Sequence, residues 1–151
     1  MRFSEINPTI DGIPPSDYVE IVDLWEASVR ATHHFLPESD IQYFKPLILN
    51  QYLDHVELSC LRDQEGRITG FLGVADGKIE MLFIHPDVRG KGVGKRLLLY
   101  AVQELGANKV DVNEQNEQAV GFYHHLGFTT ISRSPLDGMG KPYPLLHMEI
   151  I

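Results

Sequence analysis

The sequence predicts an α/β (α+β) protein: a mixed, mostly antiparallel sheet of about six to seven strands with flanking helices. Three observations predict it. Apolar residues at 18, 21, 22, 25 and 29 recur with the period of a helix. Residues 56–84 alternate apolar and polar side chains around two tight turns, the pattern of a three-stranded antiparallel meander. Residues 79–98 read as a strand, a glycine-rich turn and a helix, and the crossover to the next strand is long enough for parallel pairing.

Taken in order, the first helix spans 18–29 behind Pro14-Pro15, with Ser16 placed to cap it. A second helical stretch covers about 38–53, with Ile41, Phe44, Ile48 and Tyr52 on one stripe and Pro46 predicting a kink inside it. Val56, Leu58 and Cys60 alternate with polar neighbours, Gly66 turns the chain, 68–74 returns, and Asp76-Gly77 makes a second turn into 79–84. Helix 93–105 directs Val93, Leu97, Leu98, Ala101 and Leu105 inward. A strand at 109–112, a helix at about 117–126 and strands near 128–133 and 145–150 complete the sheet.

The chain has 151 residues, no internal repeat and no linker, so residues 1–151 are expected to form a single domain. At this length roughly two-thirds of the unfolded surface is buried without help from disulfide or metal. Cys60 is the sole cysteine, and neither a signal-peptide pattern nor a membrane-length apolar run is present, so a cytoplasmic protein is expected, as a monomer or homodimer with no membrane partner. Net charge is −8, which argues against nucleic acid as a partner, because phosphate backbones call for an extended basic face. The basic concentration is local: Arg89, Lys91, Lys95 and Arg96.

Those cations surround Gly90, Gly92 and Gly94, directly after a strand and opening a helix. Glycines let a ligand approach the backbone, and the helix start offers unpaired N–H groups and a positive dipole end, so the segment reads as a phosphate site. A Walker-type loop is excluded, because three residues separate Gly90 from Gly94 and Lys95 is followed by Arg96 where a hydroxyl would bind magnesium. A dinucleotide fingerprint begins at Gly90 and Gly92 and has Asp111 as an acidic ribose partner, but Lys95 stands where its third glycine belongs. Arg-x-x-Gly-x-Gly is met in full by Arg89, Gly92 and Gly94.

A second motif follows. Asn116, Ala119, Phe122, Tyr123, Gly127 and Phe128 fit Asn-x-x-Ala-x-x-Phe-Tyr-x-x-x-Gly-Phe. With both motifs the chain resembles the GCN5-related N-acetyltransferase (GNAT) superfamily. Small bacterial members share the run at 112–123 and the later Gly140-Lys141-Pro142-Tyr143, so the resemblance extends over nearly the whole chain. It implies a GNAT-like fold, acetyl-CoA as co-substrate and an amine as acceptor. It also implies that the backbone of Leu82, Phe83 and Ile84 runs along the pantetheine arm. The N–H groups of Arg89, Gly90, Lys91, Gly92, Val93, Gly94 and Lys95 would then take the pyrophosphate.

Acyl transfer needs a held donor, a deprotonated amine and an acid for the departing thiolate. Tyr123 occupies the family's general-acid position, and a phenol with pKa ~10 can protonate a thiolate; a core aromatic beside Phe122 is the other reading. Glu80 is the candidate base: it shares a strand face with Leu82 and Ile84 unless a bulge intervenes, and the other reading is a strand carboxylate paired with a cation or exposed at a bulge. Asn116 caps the following helix, and the resemblance adds a cofactor hydrogen bond for it; Asn113 and Asn116 flank a strand end where parallel sheets meet ligands.

Thr32 and His33, with His34, follow the first helix, where the family builds a wall of its acceptor site. Tyr143, in the polar loop 134–144 with Asp137 and Lys141, is a further substrate candidate. Histidines 33/34 and 124/125 are adjacent pairs and not at helical i, i+4 spacing, so no metal is expected. Cys60 lies on an alternating strand without a histidine motif, which disfavours an acyl-cysteine route. The expected function is acetyl-CoA-dependent N-acetylation by direct amine attack in a ternary complex; the alternative is a non-catalytic acyl-CoA-binding regulatory module.

Overall fold

The computed structural model describes residues 9–150. In chain order the elements are β1 (Asp11–Gly12), α1 (Tyr18–Thr32), α2 (Glu38–Asn50), β2 (Glu57–Arg62), β3 (Ile68–Ala75), β4 (Lys78–Ile84), α3 (Val93–Gln103), β5 (Lys109–Asn113), α4 (Glu117–His125), β6 (Thr129–Ser134) and β7 (Leu145–Glu149). The seven strands form one sheet in the order β1-β2-β3-β4-β5-β7-β6. Every neighbouring pair is antiparallel except β4 with β5, which is parallel, as the predicted crossover requires.

Strand alternation splits the core into two layers. Leu72, Val74, Ile79, Val110, Val112 and Met148 pack against Leu97, Leu98 and Ala101 of α3 and Tyr123 of α4. On the opposite face Leu58, Cys60 and Phe71 meet Ile21, Val22, Trp25 and Val29 of α1 with Ile41 and Ile48 of α2. Gly70 sets how closely α3 seats on β3: a Cβ there would lie 2.7 Å from Val93 Cγ1 and 2.9 Å from Ile84 Cδ1.

Three expectations change. Ser16 does not cap α1; it lies in a 3-10 turn, Pro15–Asp17, whose backbone leads into the helix, and no side chain caps α1. Helix α1 runs on to Thr32, and Pro46 sits inside α2, which ends at Asn50 before a separate 3-10 turn, Tyr52–His55. The two-residue β1 has no sequence signal: it is defined by Asp11↔Cys60 and Gly12↔Ser59 across the sheet edge.

The strand that matters most for the site is β4. Its register with β3 runs Gly73↔Met81 and then Val74↔Ile79, so Glu80 is an extra residue, a β-bulge. Ile79 and Leu82 therefore share one core layer while Met81 and Phe83 share the other. Glu80 leaves the alternation, exposed at the bulge that the sequence left as the alternative to a face shared with Leu82 and Ile84.

Candidate active site

Strands β4 and β5 pair only at Lys78↔Lys109 and Ile79↔Val110. Beyond the bulge they part, and the gap is a cleft of about 620 Å³, walled by Glu80, Met81, Leu82, Phe83 and Ile84 on one side and Asp111, Val112 and Asn113 on the other. It passes through the sheet, because Leu82 and Ile84 belong to the α3 layer whereas Met81 and Phe83 belong to the α1 layer.

The glycine loop closes one end. Gly90 and Gly92 have φ of +79° and +84°, and Gly92 is the left-handed N-cap of α3. The N–H groups of Gly90, Gly92, Val93, Gly94 and Lys95 find no backbone acceptor among the described residues, whereas Arg96 N–H already bonds Gly92 O at 3.0 Å. Arg89, Gly90, Gly92, Val93, Gly94 and Lys95 all line the cleft. Lys91 does not, and its N–H turns back to Val88 O at 3.3 Å; the Arg89 N–H likewise turns to Pro86 O at 3.4 Å, so neither of these two expected backbone donors is free. Arg89 donates to Gln118 Oε1, tying the loop to the first turn of α4.

Tyr123 is a core aromatic at the wall of the cleft. Its ring packs edge-on against Phe122 at 5.2 Å and Phe128 at 5.5 Å, and it also borders the cleft. Burial pushes its pKa above the ordinary phenol value, so the hydroxyl stays protonated at any working pH. Asn116 caps α4, accepting Ala119 N–H at 3.2 Å, and lines the cleft as well. Asn113 reaches the cleft with its Oδ1 buried and unpartnered among the described residues.

Asp111 is not a free ribose partner. Lys78 Nζ holds it at 2.5 Å and His147 Nδ1 at 2.6 Å, and His147 Nε2 lies 2.7 Å from Ser134 Oγ. Burial works to raise the Asp111 carboxyl, and these two partners outweigh it, leaving it below its ordinary value. With both oxygens engaged and the third glycine absent, the dinucleotide reading has no support.

A second pocket of about 210 Å³ adjoins the cleft on the α1 side, walled by Trp25, Phe44, Tyr52, Phe83 and Tyr143 with the carboxylates of Glu80 and Asp137. Thr32 lines the cleft, His33 lines both spaces, and Tyr143 belongs to the pocket alone. Tyr143 donates to Asp40, which Lys141 also reaches at 3.1 Å, so the 134–144 loop is strapped to α2. Burial and the Asp40 contact push the Tyr143 phenol up to about 12. Trp25, Phe44, Tyr52 and Asp40 were not legible as site residues. The three aromatics belong to helical stripes or an aromatic run that reads equally well as core, and Asp40 meets its partners more than a hundred residues away in sequence.

Comparison with known proteins agrees with this geometry. A family model described as an acetyltransferase (GNAT) domain matches residues 37–149. The chain belongs to the GNAT acetyltransferase family. Peptidyl-lysine N-acetyltransferase YjaB of Escherichia coli is 39% identical over 132 residues, 87% of this chain and 89% of that protein. Peptidyl-lysine N-acetyltransferase YiaC, also from Escherichia coli, is 26% identical over 137 residues, 90% and 93% of the two chains. The solution structure of apo YjaB superposes with a TM-score of 0.86 at 37% identity, covering 95% of this chain and 97% of that one. PaiA N-acetyltransferase from Thermoplasma acidophilum, solved with coenzyme A, shares the fold at a TM-score of 0.73 and 18% identity, over 95% and 98% of the chains. The GNAT chain described here is accordingly an N-acetyltransferase, from a family whose acyl donor is acetyl-CoA. Among the described residues no group of three or more His, Cys, Asp or Glu is placed to hold a metal, and no helix is long and apolar enough to cross a membrane.

Proposed function

We propose that this chain, read as a single domain, transfers an acetyl group from acetyl-CoA to a primary amine, the side-chain amine of a lysine in a peptide or protein. The observation that carries the reading is the continuity of one cleft, from the glycine loop through the parted strands to the α1 side of the sheet. The five free N–H groups of the loop and the Arg89 and Lys95 side chains fit a pyrophosphate, since donors converge at a helix start with positive charge beside them. The unpaired edges of β4 and β5 offer backbone groups to an extended pantetheine arm. Bound there, acetyl-CoA supplies a thioester carbonyl open to attack from the α1 side.

This chain's residues then have three tasks. Glu80, exposed on its bulge where cleft and pocket meet, takes one proton from the ammonium directly or through water. The freed nitrogen attacks the carbonyl carbon and the C–S bond breaks; Tyr123 gives its proton to sulfur, and the second nitrogen proton restores the phenol through solvent. Its raised pKa does not disqualify it, because a thiolate leaving into the same desolvated cleft is raised too. The aromatic pocket with Asp137 holds the chain that carries the amine, and the net charge of −8 steers a cation toward it. The lysine reading takes its support from the two relatives named as peptidyl-lysine acetyltransferases.

The test is turnover of acetyl-CoA with the ε-amine of Nα-acetyl-lysine amide and with lysine peptides, followed as free thiol. Release of CoA that depends on the amine supports the reading. Tight acetyl-CoA binding without turnover of any amine would instead favour the non-catalytic binding module.

A further inference from the structure

Thr32 and His33 end α1 at the junction of the cleft and the aromatic pocket; His33 is one of five residues, with Glu80, Met81, Phe83 and Asn113, that wall both. The Thr32 hydroxyl donates to Ser28 O, one helical turn back, at 2.8 Å. A hydroxyl has a single proton, so toward His33 Nδ1, 2.7 Å away, Thr32 has only lone pairs to offer. Both contacts are hydrogen bonds at once only if Nδ1 carries the ring proton. A neutral imidazole has one N–H, so Nε2 is left bare.

Burial, with the neighbouring His34 adding to it, lowers the His33 pKa to about 4, so the ring is neutral wherever the enzyme works. Nε2 makes no hydrogen bond with the described residues, on a ring that walls both the cleft and the aromatic pocket. Free neutral histidine prefers the opposite tautomer, with the proton on Nε2. The Ser28–Thr32 pair thus selects the less common form and turns a ring nitrogen into an acceptor at the meeting point of donor and acceptor sites.

We propose that His33, locked as the Nδ1–H tautomer by the Thr32 hydroxyl, accepts an N–H hydrogen bond from the acceptor amine through Nε2 and so aims the nitrogen lone pair at the thioester. The inference rests on the reading of an amine acceptor and adds the group that orients it. A neutral acceptor suits this task better than a second carboxylate. Negative charge would favour the ammonium form and work against the deprotonation that attack requires, whereas an imidazole nitrogen holds a neutral amine without that penalty.

Two measurements test it. In ¹⁵N-histidine-labelled protein, long-range ¹H–¹⁵N spectra are expected to show His33 with a protonated Nδ1 and an unprotonated Nε2, the signal being assigned by its loss in His33→Gln. In kinetics with Nα-acetyl-lysine amide, His33→Phe is expected to raise the acceptor KM about tenfold with the acetyl-CoA KM unchanged. His33→Gln, whose amide oxygen reaches the place of Nε2, recovers most of that loss. Thr32→Val, which frees the ring to move its proton, reproduces the acceptor defect and shifts the His33 spectrum to the Nε2–H pattern. An Nε2–H pattern in the wild-type protein, or an acceptor KM unmoved in His33→Phe, overturns the proposal. Wild-type protein that shows the Nδ1–H pattern yet acetylates no amine overturns the lysine reading and the hydrogen bond to the amine, while the tautomer lock stands.

Discussion

Tyr123 is a core aromatic that also lines the cleft, and that double character makes it testable. Its hydroxyl has no hydrogen-bond partner among the described residues, so removing it strands nothing. Tyr123→Phe is expected to leave stability within about 1 kcal/mol of wild type in urea denaturation, while kcat falls on the order of 10²–10⁴ and the acetyl-CoA KM holds. Equal loss of stability and activity would make the residue structural. His33 supplies a pH signature of its own. Its ordinary value of 6.5 drops to about 4 in the fold, so between those values the unfolded chain binds a proton that the folded chain refuses. The fold should therefore lose stability as pH falls from 6.5 toward 4, and His33→Phe should flatten that part of the curve when denaturation midpoints at pH 7 and pH 5 are compared. An unaltered slope would mean that the buried imidazole is not the group responsible.

At the scale of elements, the glycine loop and α4 were legible because their chemistry is local. Gly90 and Gly92 require positive φ within a four-residue span, and Asn116 caps a helix that begins at the next residue. The bulge at Glu80 could be named from sequence but not decided, because it is a property of pairing: nothing in the run from Lys78 to Ile84 says that Gly73 and Val74 will face Met81 and Ile79 and leave Glu80 over. The engaged Lys91 N–H is hidden for a related reason, since charge and spacing cannot tell which amides a turn spends on its own hydrogen bonds. Gly70 carries a consequence that links element to function. The Cβ of Gly70→Ala would press on Val93 at the first turn of α3, with little room to yield between Ile84 and Leu97. The variant is expected to lose about 1–3 kcal/mol of stability and to bind acetyl-CoA more weakly, because the displaced turn carries the loop donors. Calorimetric titration beside thermal denaturation checks both; a destabilised variant with unchanged affinity would separate the seating of α3 from the site.

For the whole molecule, the same two residue pairs that join β4 to β5 are, among the described residues, the only strand pairing between the sheet's halves. On one side stand β1 to β4 with α1 and α2, on the other β5, β7 and β6, and side chains supply the other links: Lys78 to Asp111, Arg89 to Gln118, and Lys141 and Tyr143 to Asp40. In the proposed reading a donor molecule lying between β4 and β5 would replace the missing ladder, hydrogen bonding to groups that each half presents to the gap. Binding is then expected to act on stability as a cross-link would, beyond filling a pocket. By linkage, acetyl-CoA at one hundred times its Kd adds about 2.7 kcal/mol, which for a chain of this size raises Tm by roughly 5–11 °C. The distribution of the effect is the sharper test: amide exchange should slow along 81–84, along 111–113 and in the 89–95 loop, and little at the distant β1–β2 edge. Arg89→Ala and Gly92→Glu should lose the shift and the protection together, the second because its side chain occupies the phosphate space at a left-handed position. Slowed exchange in the loop alone would mean that the nucleotide end binds without the arm bridging the halves, and the amine would then meet a cleft with no thioester in it.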